Sequence, residues 1–425
     1  MLENLDAIAK YNFWEDTEPE VGFLRTDYTS KIAGYSSDRV VKVLIGQRRV
    51  GKSYILRQVA KDLISKGVNK KNTFFVNKEY LAFDSVRTYQ DLENLFQEYK
   101  KELTPEGKIY IFLDEVQEIE EWERFVNSYS QDCTAEYELF ISGSNSKMLS
   151  SELGTLLSGR YVEFKIYPFS FNEYSSIRGL QKTQTNYIEY MKHGGLPELL
   201  KLSDEDARRQ YVEGLKNTIL LKDIIQRHKV RDTALLEDLF VYLVNNSSKL
   251  TSIQNLVNYL DSKRRKTSYE TVSQYVEYLS ETFVIHKAER YDIKGKEALG
   301  GNAKYYANDT AFHNLYGGYN YGIGYMLENI VYLDLLRTSY KVYVGAMRES
   351  EIDFVAECGD RRIYIQVSYL LLDEDTIDRE YSPLLKITDS YEKYVVSLDE
   401  ISLPSKDGIK NIPVWRLPEV LLRRN

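Results

Sequence analysis

The stretch GQRRVGKS, residues 46–53, decides the fold of the N-terminal part of the chain. Before it comes RVVKVLI (39–45), a run rich in β-branched residues that is typical of a strand buried on both faces. After it, KSYILRQVAKDLISKG (52–67) repeats apolar residues at helical spacing. The apolar face of this helix comprises Ile55, Leu56, Val59, Leu63 and Ile64. A strand, a GxxxxGK[ST] loop and an amphipathic helix in this order predict a phosphate-binding loop.

Four residues of this loop have chemical roles that follow from their types. Gly46 and Gly51 allow tight turns that aim successive backbone N–H groups at the β- and γ-phosphates of a nucleotide. The N-terminal dipole of the following helix adds positive potential. Lys52 is expected to contact the phosphates, and Ser53 to offer a hydroxyl to Mg²⁺. The sequence therefore predicts a site for ATP with Mg²⁺.

Two later strands end in polar residues that suit the same site. IYIFLDE (109–115) places Asp114 and Glu115 at the C-terminal tip of a buried strand, where α/β sheets bind ligands. We expect Asp114 to hold Mg²⁺ through water and Glu115 to polarise the attacking water. FISGSNS (140–146) favours Asn145 as a sensor of the γ-phosphate or water. The alternative is that Asn145, or the serine before it, caps a helix.

Three arginines lie in or near this predicted site. Arg48 and Arg49 lie inside the loop, and we expect their side chains to contact a partner or another domain, because the loop backbone binds the phosphates. Arg160, in LLSGRY, is a candidate arginine finger that acts in a neighbouring subunit of a homo-oligomer. The alternative for Arg160 is a structural salt bridge.

Composition narrows the function classes. The 425 residues are 43% hydrophobic and carry a net charge of −8, so any DNA contact must be local rather than spread over a basic surface. Cys133 and Cys358 are the only cysteines, which excludes a disulfide scaffold and a zinc ribbon. The N-terminus has no apolar signal region, and no apolar run reaches the length of a membrane span. We expect a cytoplasmic protein without membrane contact.

The middle of the chain changes from alternating strands and helices to a largely helical pattern. Residues 236–310 give two short helices, a turn between them and two strand-like pieces, which is a winged-helix pattern. Thr267 with Glu270 predicts a capping box at the second helix. The turn holds the densest basic cluster of the chain: Lys263, Arg264, Arg265 and Lys266. Contact with a DNA backbone and contact with a protein both remain open for this turn.

Six stretches in this order resemble the prokaryotic AAA-type ATPases that carry a C-terminal domain of unknown function. They are VLIGQRRVGKS, IYIFLDEVQEIEEWERFVNS, FISGSNSKMLSSELGTLLSGRYVEFKIYPFSFNEY, HGGLPELL, ILLKDIIQRH and EIDFVAE…YIQVSY. Lys52, Ser53, Asp114 and Glu115 match the nucleotide site of that family, and Arg160 matches its SGR motif. The resemblance and the pattern together imply an α/β fold in four parts. These are a P-loop NTPase (AAA-type) domain with a parallel sheet (1–170), a helical lid (171–235), a winged-helix domain (236–310) and a small restriction-endonuclease-like α/β domain (311–425).

The last domain is expected to resemble the PD-(D/E)xK nuclease fold in a degenerate form. In that fold a helix glutamate, a hairpin aspartate and an E-x-K strand converge on a divalent metal. Glu328 and Asp353 match the first two elements, but Gln366 and Ser368 stand where a carboxylate and a lysine are needed. We expect a domain that does not cut DNA. Arg379 or Lys386 could restore the missing positive charge by moving in.

The leading hypothesis from the sequence is an ATP-hydrolysing AAA-type ATPase that couples its nucleotide state to a DNA-associated winged-helix and pseudo-nuclease module. One alternative is an active ATP-dependent nuclease. The other is a signalling ATPase whose C-terminal half binds a protein partner. Salt-sensitive DNA binding favours the first two hypotheses over the third, and metal-dependent cleavage separates the nuclease from the rest.

Overall fold

The computed structural model describes residues 2–15, 19–35, 39–145, 159–316, 322–348 and 350–422. The chain divides into two compact units, unit 1 (Met1–Ile166) and unit 2 (Tyr167–Asn425). Unit 2 contains the segments predicted as lid, winged helix and nuclease-like domain, and the division into four parts stays a prediction. Within the described ranges, no helix is both long enough and apolar enough to cross a membrane.

Unit 1 is built on a parallel sheet, as the alternating pattern predicts. In the part of unit 1 that the structure describes, five strands follow the order β2-β3-β4-β1-β5, and every pairing is parallel. The strands are β1 (Val41–Ile45), β2 (Thr73–Asn77), β3 (Ile109–Asp114), β4 (Tyr137–Gly143) and β5 (Tyr161–Lys165). Every residue of β1 and β2 is buried, which explains why these strands are mostly apolar, and the one charged residue of β1, Lys42, pairs with Glu138 at 2.8 Å. The order brings the C-terminal ends of β1, β3 and β4 side by side.

The helices of unit 1 that the structure describes bury apolar residues. They are α1 (Leu2–Ala9), α2 (Thr26–Ala33), α3 (Lys52–Ser65), α4 (Tyr89–Leu103) and α5 (Trp122–Gln131). On α3, the predicted face is confirmed: Ile55, Leu56, Val59 and Leu63 are buried, and Ile64 is half-buried. A capping box of Thr88 with Asp91 fixes the start of α4.

Unit 2 begins with a helical region. The helices of unit 2 as a whole, within the described residues, are α6 (Phe171–Arg178), α7 (Gln184–His193), α8 (Glu205–Thr218), α9 (Thr233–Asn245), α10 (Ile253–Ser262), α11 (Tyr269–Glu281), α12 (Thr310–Asn314), α13 (Ile323–Arg337), α14 (Glu374–Leu385) and α15 (Leu417–Leu422). A π-helix, Ile219–Gln226, continues α8, whereas the sequence predicts an ordinary helix there. The predicted capping box of α11 is wrong by one residue, because Ser268 rather than Thr267 accepts the backbone N–H of Thr271.

A mixed sheet organises the rest of unit 2. Its strands are β6 (Ile285–Asp292), β7 (Glu297–Ala307), β8 (Lys341–Ala346), β9 (Glu351–Cys358), β10 (Arg361–Ser368), β11 (Glu392–Ser397) and β12 (Ile409–Pro413). Within the described residues they form one sheet in the order β12-β11-β10-β9-β8-β6-β7. The ribbon β6–β7 follows α10 and α11 in the chain, and the winged-helix interpretation of these elements stays a prediction. Its strand β6, however, also pairs in parallel with β8, so the ribbon belongs to the same sheet as the later strands.

Two adjacent glycines explain the HGGLPELL stretch as a packing motif. A Cβ atom on Gly194, whose φ is 79°, would lie 1.9 Å from Oδ1 of Asp309. A Cβ atom on Gly195 would lie 2.1 Å from the carbonyl oxygen of Phe169. The backbone N–H of Gly195 donates to Oδ2 of Asp309 at 2.8 Å. The close approach of these segments therefore requires glycine at both positions.

Candidate functional site

The phosphate-binding loop connects β1 to α3 and depends on its two glycines. At Gly46 a Cβ atom would lie 2.3 Å from the carbonyl oxygen of Ile166, so no larger residue fits against that segment. Gly51 adopts a φ of 98° immediately before the first residue of α3, a conformation that favours glycine. The loop therefore has the tight path that the GxxxxGK[ST] pattern predicts.

The side chain of Lys52 lies against the loop and is buried. Its Nζ atom donates to the carbonyl oxygens of Gly46, at 3.0 Å, and Gln47, at 3.2 Å. It also lies 3.4 Å from Oε1 of Glu115. An ammonium in this position can exchange its loop carbonyls for phosphate oxygens, because both are acceptors of the same kind.

Asp114 ends β3 and is held by three neighbouring side chains. The amide of Asn77 donates to its Oδ2 at 2.6 Å, the hydroxyl of Ser142 donates to its Oδ1, and Ser53 forms a further side-chain hydrogen bond. Burial and the adjacent Glu115 carboxylate raise the pKa of Asp114 to about 6. A serine hydroxyl beside a carboxylate is an oxygen donor set that fits Mg²⁺, which on binding would neutralise charge on the phosphates.

Glu115 follows Asp114 in a left-handed conformation, with a φ of 55°. Its backbone N–H donates to the hydroxyl of Ser142 at 3.2 Å, and Nε2 of Gln117 donates to its Oε2 at 2.5 Å. Burial alone would raise the pKa of Glu115, but the positive charges of Lys52 and Arg48 outweigh burial and hold that pKa below its ordinary value. The Glu115 carboxylate is therefore charged and can accept a proton.

Three residues that sequence reasoning missed complete this group: Asn77, Ser142 and Gln117. Asn77 and Ser142 lie near the C-terminal ends of β2 and β4, the edge where α/β sheets bind ligands, so their positions were a usable signal. Asn145, the predicted sensor, is buried just beyond β4. The side-chain role of Asn145 stays a prediction.

The three arginines have different surroundings. The Nη1 atom of Arg48 lies 2.6 Å from Oε1 of Glu79, so this side chain contacts its own unit. Arg49 has a φ of 68° in the loop. Arg160 is exposed, and its carbonyl oxygen accepts the N–H of Val41 at the start of β1. Residues 146–158, which precede it, lie outside the described ranges. Its action as an arginine finger stays a prediction.

Unit 2 brings three carboxylates together, which we call the carboxylate cluster: Glu328, Glu351 and Asp353. The ammonium of Lys304 lies among them, with Nζ 2.9 Å from Oε1 of Glu328, 2.8 Å from Oε1 of Glu351 and 3.5 Å from Oδ1 of Asp353. Lys304 is on β7 and was not predicted. The available signal in the sequence was a lysine within the otherwise apolar and aromatic run AKYYA (303–307).

Hydrogen bonds and charge fix the carboxylate cluster. The hydroxyl of Tyr306 donates to Oε1 of Glu328 at 2.8 Å, and the backbone N–H of Val367 donates to Oδ2 of Asp353 at 2.8 Å. Burial lowers the pKa of Lys304, but the carboxylates outweigh it and raise that pKa above its ordinary value. Burial and Asp353 raise the pKa of Glu328 to about 8, although Lys304 lowers it.

The other residues predicted for the nuclease-like site differ in whether they lie beside the carboxylate cluster. Oε1 of Gln366 accepts the backbone N–H of Asp353 at 3.3 Å, so this amide does lie beside the cluster. The hydroxyl of Ser368 instead donates to the carbonyl oxygen of Leu370 at 3.3 Å. Arg379 pairs with Glu380 at 3.0 Å, and Lys386 is exposed after α14. The positive charge in the cluster therefore comes from Lys304, and not from the two residues proposed from the sequence.

In the basic turn between α10 and α11, three of the four basic side chains are exposed and the fourth forms an ion pair. Lys263, Arg264 and Lys266 are exposed, and Arg264 has a φ of 60°. Nε of Arg265 lies 2.7 Å from Oδ2 of Asp238, so this guanidinium already has a carboxylate partner.

Comparison with known proteins agrees with the fold of unit 1. A family model described as an AAA domain matches residues 38–175, and a model of a domain of unknown function (DUF8612) matches residues 184–317.

A Haemophilus influenzae protein described as uncharacterized is 35% identical over 400 residues, which is 92% of this chain and 98% of that protein. The Methanocaldococcus jannaschii protein MJ1544 is 28% identical over 299 residues, 65% of either protein. The structure of the Walker-type ATPase PABY2304 of Pyrococcus abyssi has a TM-score of 0.50 and 16% identity, covering 71% of this chain and 99% of that chain.

The parallel sheet, the loop between β1 and α3 and the AAA-domain match place residues 38–175 in the AAA class of P-loop domains. The chain belongs to the family of the Haemophilus influenzae protein, which it matches over nearly the whole length of both. The likeness to PABY2304 concerns the fold alone, because the sequence identity is low.

Proposed function

We propose that this protein binds ATP with Mg²⁺ and hydrolyses it at the site between β1, β3 and β4. The observation that carries this proposal is the group formed by Lys52, Asp114 and Glu115. The Lys52 ammonium lies at the loop, 3.4 Å from Oε1 of Glu115, and Asp114 is hydrogen-bonded to the Ser53 hydroxyl. These side chains offer positive charge for phosphate, oxygen ligands for Mg²⁺ and a base for water.

Each residue of the site has a separate role in hydrolysis. The loop N–H groups and Lys52 bind and orient the phosphates, while Ser53 and Asp114 would hold Mg²⁺. Glu115 orients a water molecule for attack on the γ-phosphorus and accepts its proton. The hydroxyl of Ser142 donates to the Asp114 carboxylate and accepts the backbone N–H of Glu115, so it holds the Asp114 side chain and the Glu115 backbone in place. Catalysis at such a site is mainly positioning and charge stabilisation.

Lys52→Ala is expected to remove most ATP affinity, because the phosphates lose the buried ammonium that lies against the loop. Fluorescent ATP-analogue titration with Mg²⁺ measures this effect. Lys61→Ala, which removes an exposed lysine of the same helix, serves as the control and is expected to bind like the wild type. Equal ATP affinity of the wild type and Lys52→Ala would contradict the proposed site.

We further propose that the cytoplasmic ATPase couples its nucleotide state to a DNA-associated module in unit 2, with a homo-oligomer as the working form. The order α13, β8, β9, β10, α14, β11 supports the nuclease-like interpretation, and the exposed Lys263, Arg264 and Lys266 offer contacts for phosphate backbone. Gln366 and Ser368, which stand where the nuclease fold has a carboxylate and a lysine, support a domain that does not cut DNA, whereas Lys304 places an ammonium in the carboxylate cluster.

A protein partner is the second candidate for unit 2, and α11 favours it. The exposed residues of this helix include Glu270, Gln274 and Glu277, and the helix contains no lysine or arginine. A recognition helix with exposed glutamates is repelled by DNA phosphates. If DNA binds, we therefore expect the basic turn rather than α11 to provide most of the contacts.

The test replaces two lysines of the basic turn in one variant, Lys263→Glu with Lys266→Glu. We expect this variant to bind DNA more weakly. The slope of its log binding constant against log salt concentration should be smaller by about two, one for each phosphate that the turn no longer neutralises. Binding to single-stranded, duplex and branched DNA is measured at several salt concentrations, together with ATP turnover. The control, Lys61→Glu with Lys101→Glu, makes the same charge change on exposed lysines of unit 1.

Three other outcomes of this assay separate the hypotheses. Absence of DNA binding with unchanged ATP turnover would favour the protein partner. Equal DNA affinity of the turn variant and the control would contradict the role of the turn. Cleavage with Mg²⁺ or Mn²⁺ that disappears in Asp353→Ala would establish the active nuclease instead.

A further inference from the structure

Gln117 lies in the nucleotide site without a role in the proposed mechanism of hydrolysis. It belongs to the short 3₁₀ turn Val116–Glu118, which follows Glu115 directly. Its Nε2 atom donates to Oε2 of Glu115 at 2.5 Å and to the hydroxyl of Ser144 at 3.3 Å. This amide therefore links the Glu115 carboxylate to the residue that follows β4.

The other half of the Gln117 amide has no partner among the described residues. Its Oε1 atom is buried and accepts no hydrogen bond from that part of the chain. The orientation of the amide follows from chemistry, because a carboxylate only accepts hydrogen bonds and must face the –NH₂ group. A buried acceptor without a donor is unfavourable in a folded protein, so this atom is suited to accept a hydrogen bond from a water molecule in the site.

We infer that Gln117 is a second water-binding residue of ATP hydrolysis, whose Oε1 accepts a hydrogen bond from the attacking water while Glu115 accepts the other. This inference rests on the proposed ATPase function and adds a residue to its catalytic site. Water is a donor of two hydrogen bonds, and the two acceptors belong to side chains that already contact each other. A water held at both protons presents its oxygen lone pair to the phosphate.

The step balances with these groups. The water oxygen forms a bond to the γ-phosphorus, and the bond from that phosphorus to the bridging oxygen breaks, leaving its electron pair on ADP. The proton directed at Glu115 passes to that carboxylate and then to the products. Gln117 keeps its amide unchanged, because it only orients the water and holds the Glu115 carboxylate. This division matches the role of an uncharged amide, which cannot act as a base at neutral pH.

The test is Gln117→Met, which keeps the length of the side chain and removes both polar atoms. We expect kcat to fall about tenfold, because one ordinary hydrogen bond made in the transition state contributes up to about this factor. KM and the Kd for ATP are expected to stay within about twofold, because Gln117 does not bind the phosphates. Glu118→Gln changes the exposed neighbour in the same turn and should leave all three constants unchanged.

Three results would overturn the inference, and they differ from one another. Equal kcat for Gln117→Met and the wild type would remove Gln117 from the reaction while leaving the proposed function intact. A loss of kcat that is matched by weaker ATP binding or a lower melting temperature would make Gln117 a structural residue. Absence of hydrolysis by the wild type itself would overturn the proposed function, and this inference with it.

Discussion

Glu115→Gln is expected to bind ATP as tightly as the wild type and to hydrolyse it at least about a hundredfold more slowly, since a positioned base typically contributes 10²–10⁴-fold. The substitution keeps the size of the side chain but replaces the carboxylate by an uncharged amide, so it removes the charge that accepts the proton of the attacking water. Lys52 loses the neighbouring carboxylate at 3.4 Å, and this favours its contact with phosphate instead.

Single-turnover hydrolysis and ATP-analogue titration measure the two effects separately. Glu120→Gln is a suitable control, because this carboxylate is exposed on the segment between β3 and α5. Hydrolysis by Glu115→Gln at the wild-type rate would mean that another group activates the water. A simultaneous loss of ATP affinity would mean that Glu115 supports the loop rather than the reaction.

Lys304→Met is expected to destabilise the folded protein by about 3–5 kcal/mol, the usual effect of removing one partner from a buried ion pair. Methionine fills a similar volume but leaves Glu328, Glu351 and Asp353 without their shared cation. The side chain of Lys304 is only 5% exposed, and that of Glu328 10%, so water cannot replace the ammonium fully. The repulsion between the carboxylates then opposes folding.

This destabilisation depends on pH in a defined direction. The pKa of Glu328 is raised to about 8 from an ordinary value of 4.5, so between these values the folded state holds a proton that the unfolded state releases. The contribution of Glu328 to the free energy of unfolding is therefore largest below about pH 4.5 and declines as pH rises towards 8. Without Lys304 the pKa rises further, and the free-energy loss of the variant should be larger at pH 8 than at pH 5.

Urea denaturation of the full chain, followed by circular dichroism at both pH values, measures the change. Lys287→Met on β6 is the matched control, because this lysine pairs with Glu289 at 2.9 Å but is 46% exposed. Exposed pairs of this kind contribute at most about 1 kcal/mol. Equal stability of Lys304→Met and the control would show that the buried ammonium does not hold the carboxylate cluster together.

The positions of the residues proposed to bind nucleotide were predictable because their signals are local. The strand, the loop and α3 occupy one continuous stretch, so spacing alone places Lys52 and Ser53 at the start of α3, and their roles stay a prediction. Asp114 and Glu115 also end a recognisable strand. Gln117 stands only two residues further, but its hydrogen bonds depend on how the turn after Glu115 folds, which spacing does not specify.

Lys304 could not be found in the same way, because its partners are far along the chain. Glu328 lies 24 residues later and Asp353 49 residues later, and they meet only when the ribbon joins the sheet. Arg265 shows the same limit, since its partner Asp238 belongs to α9, which is separated from it by α10. Charge runs read from sequence do not show which members are already paired within the fold.

The pairing of β6 with β8 restricts where the chain can be cut. Arg290, Tyr291 and Asp292 face Val344, Gly345 and Ala346 across this pairing. A fragment ending near residue 310 would keep both strands of the ribbon but leave the outer edge of β6 with unsatisfied backbone groups. Such an edge recruits strands from other molecules, so the fragment would self-associate. During synthesis, the ribbon likewise gains its neighbour only after the chain has reached Ala346.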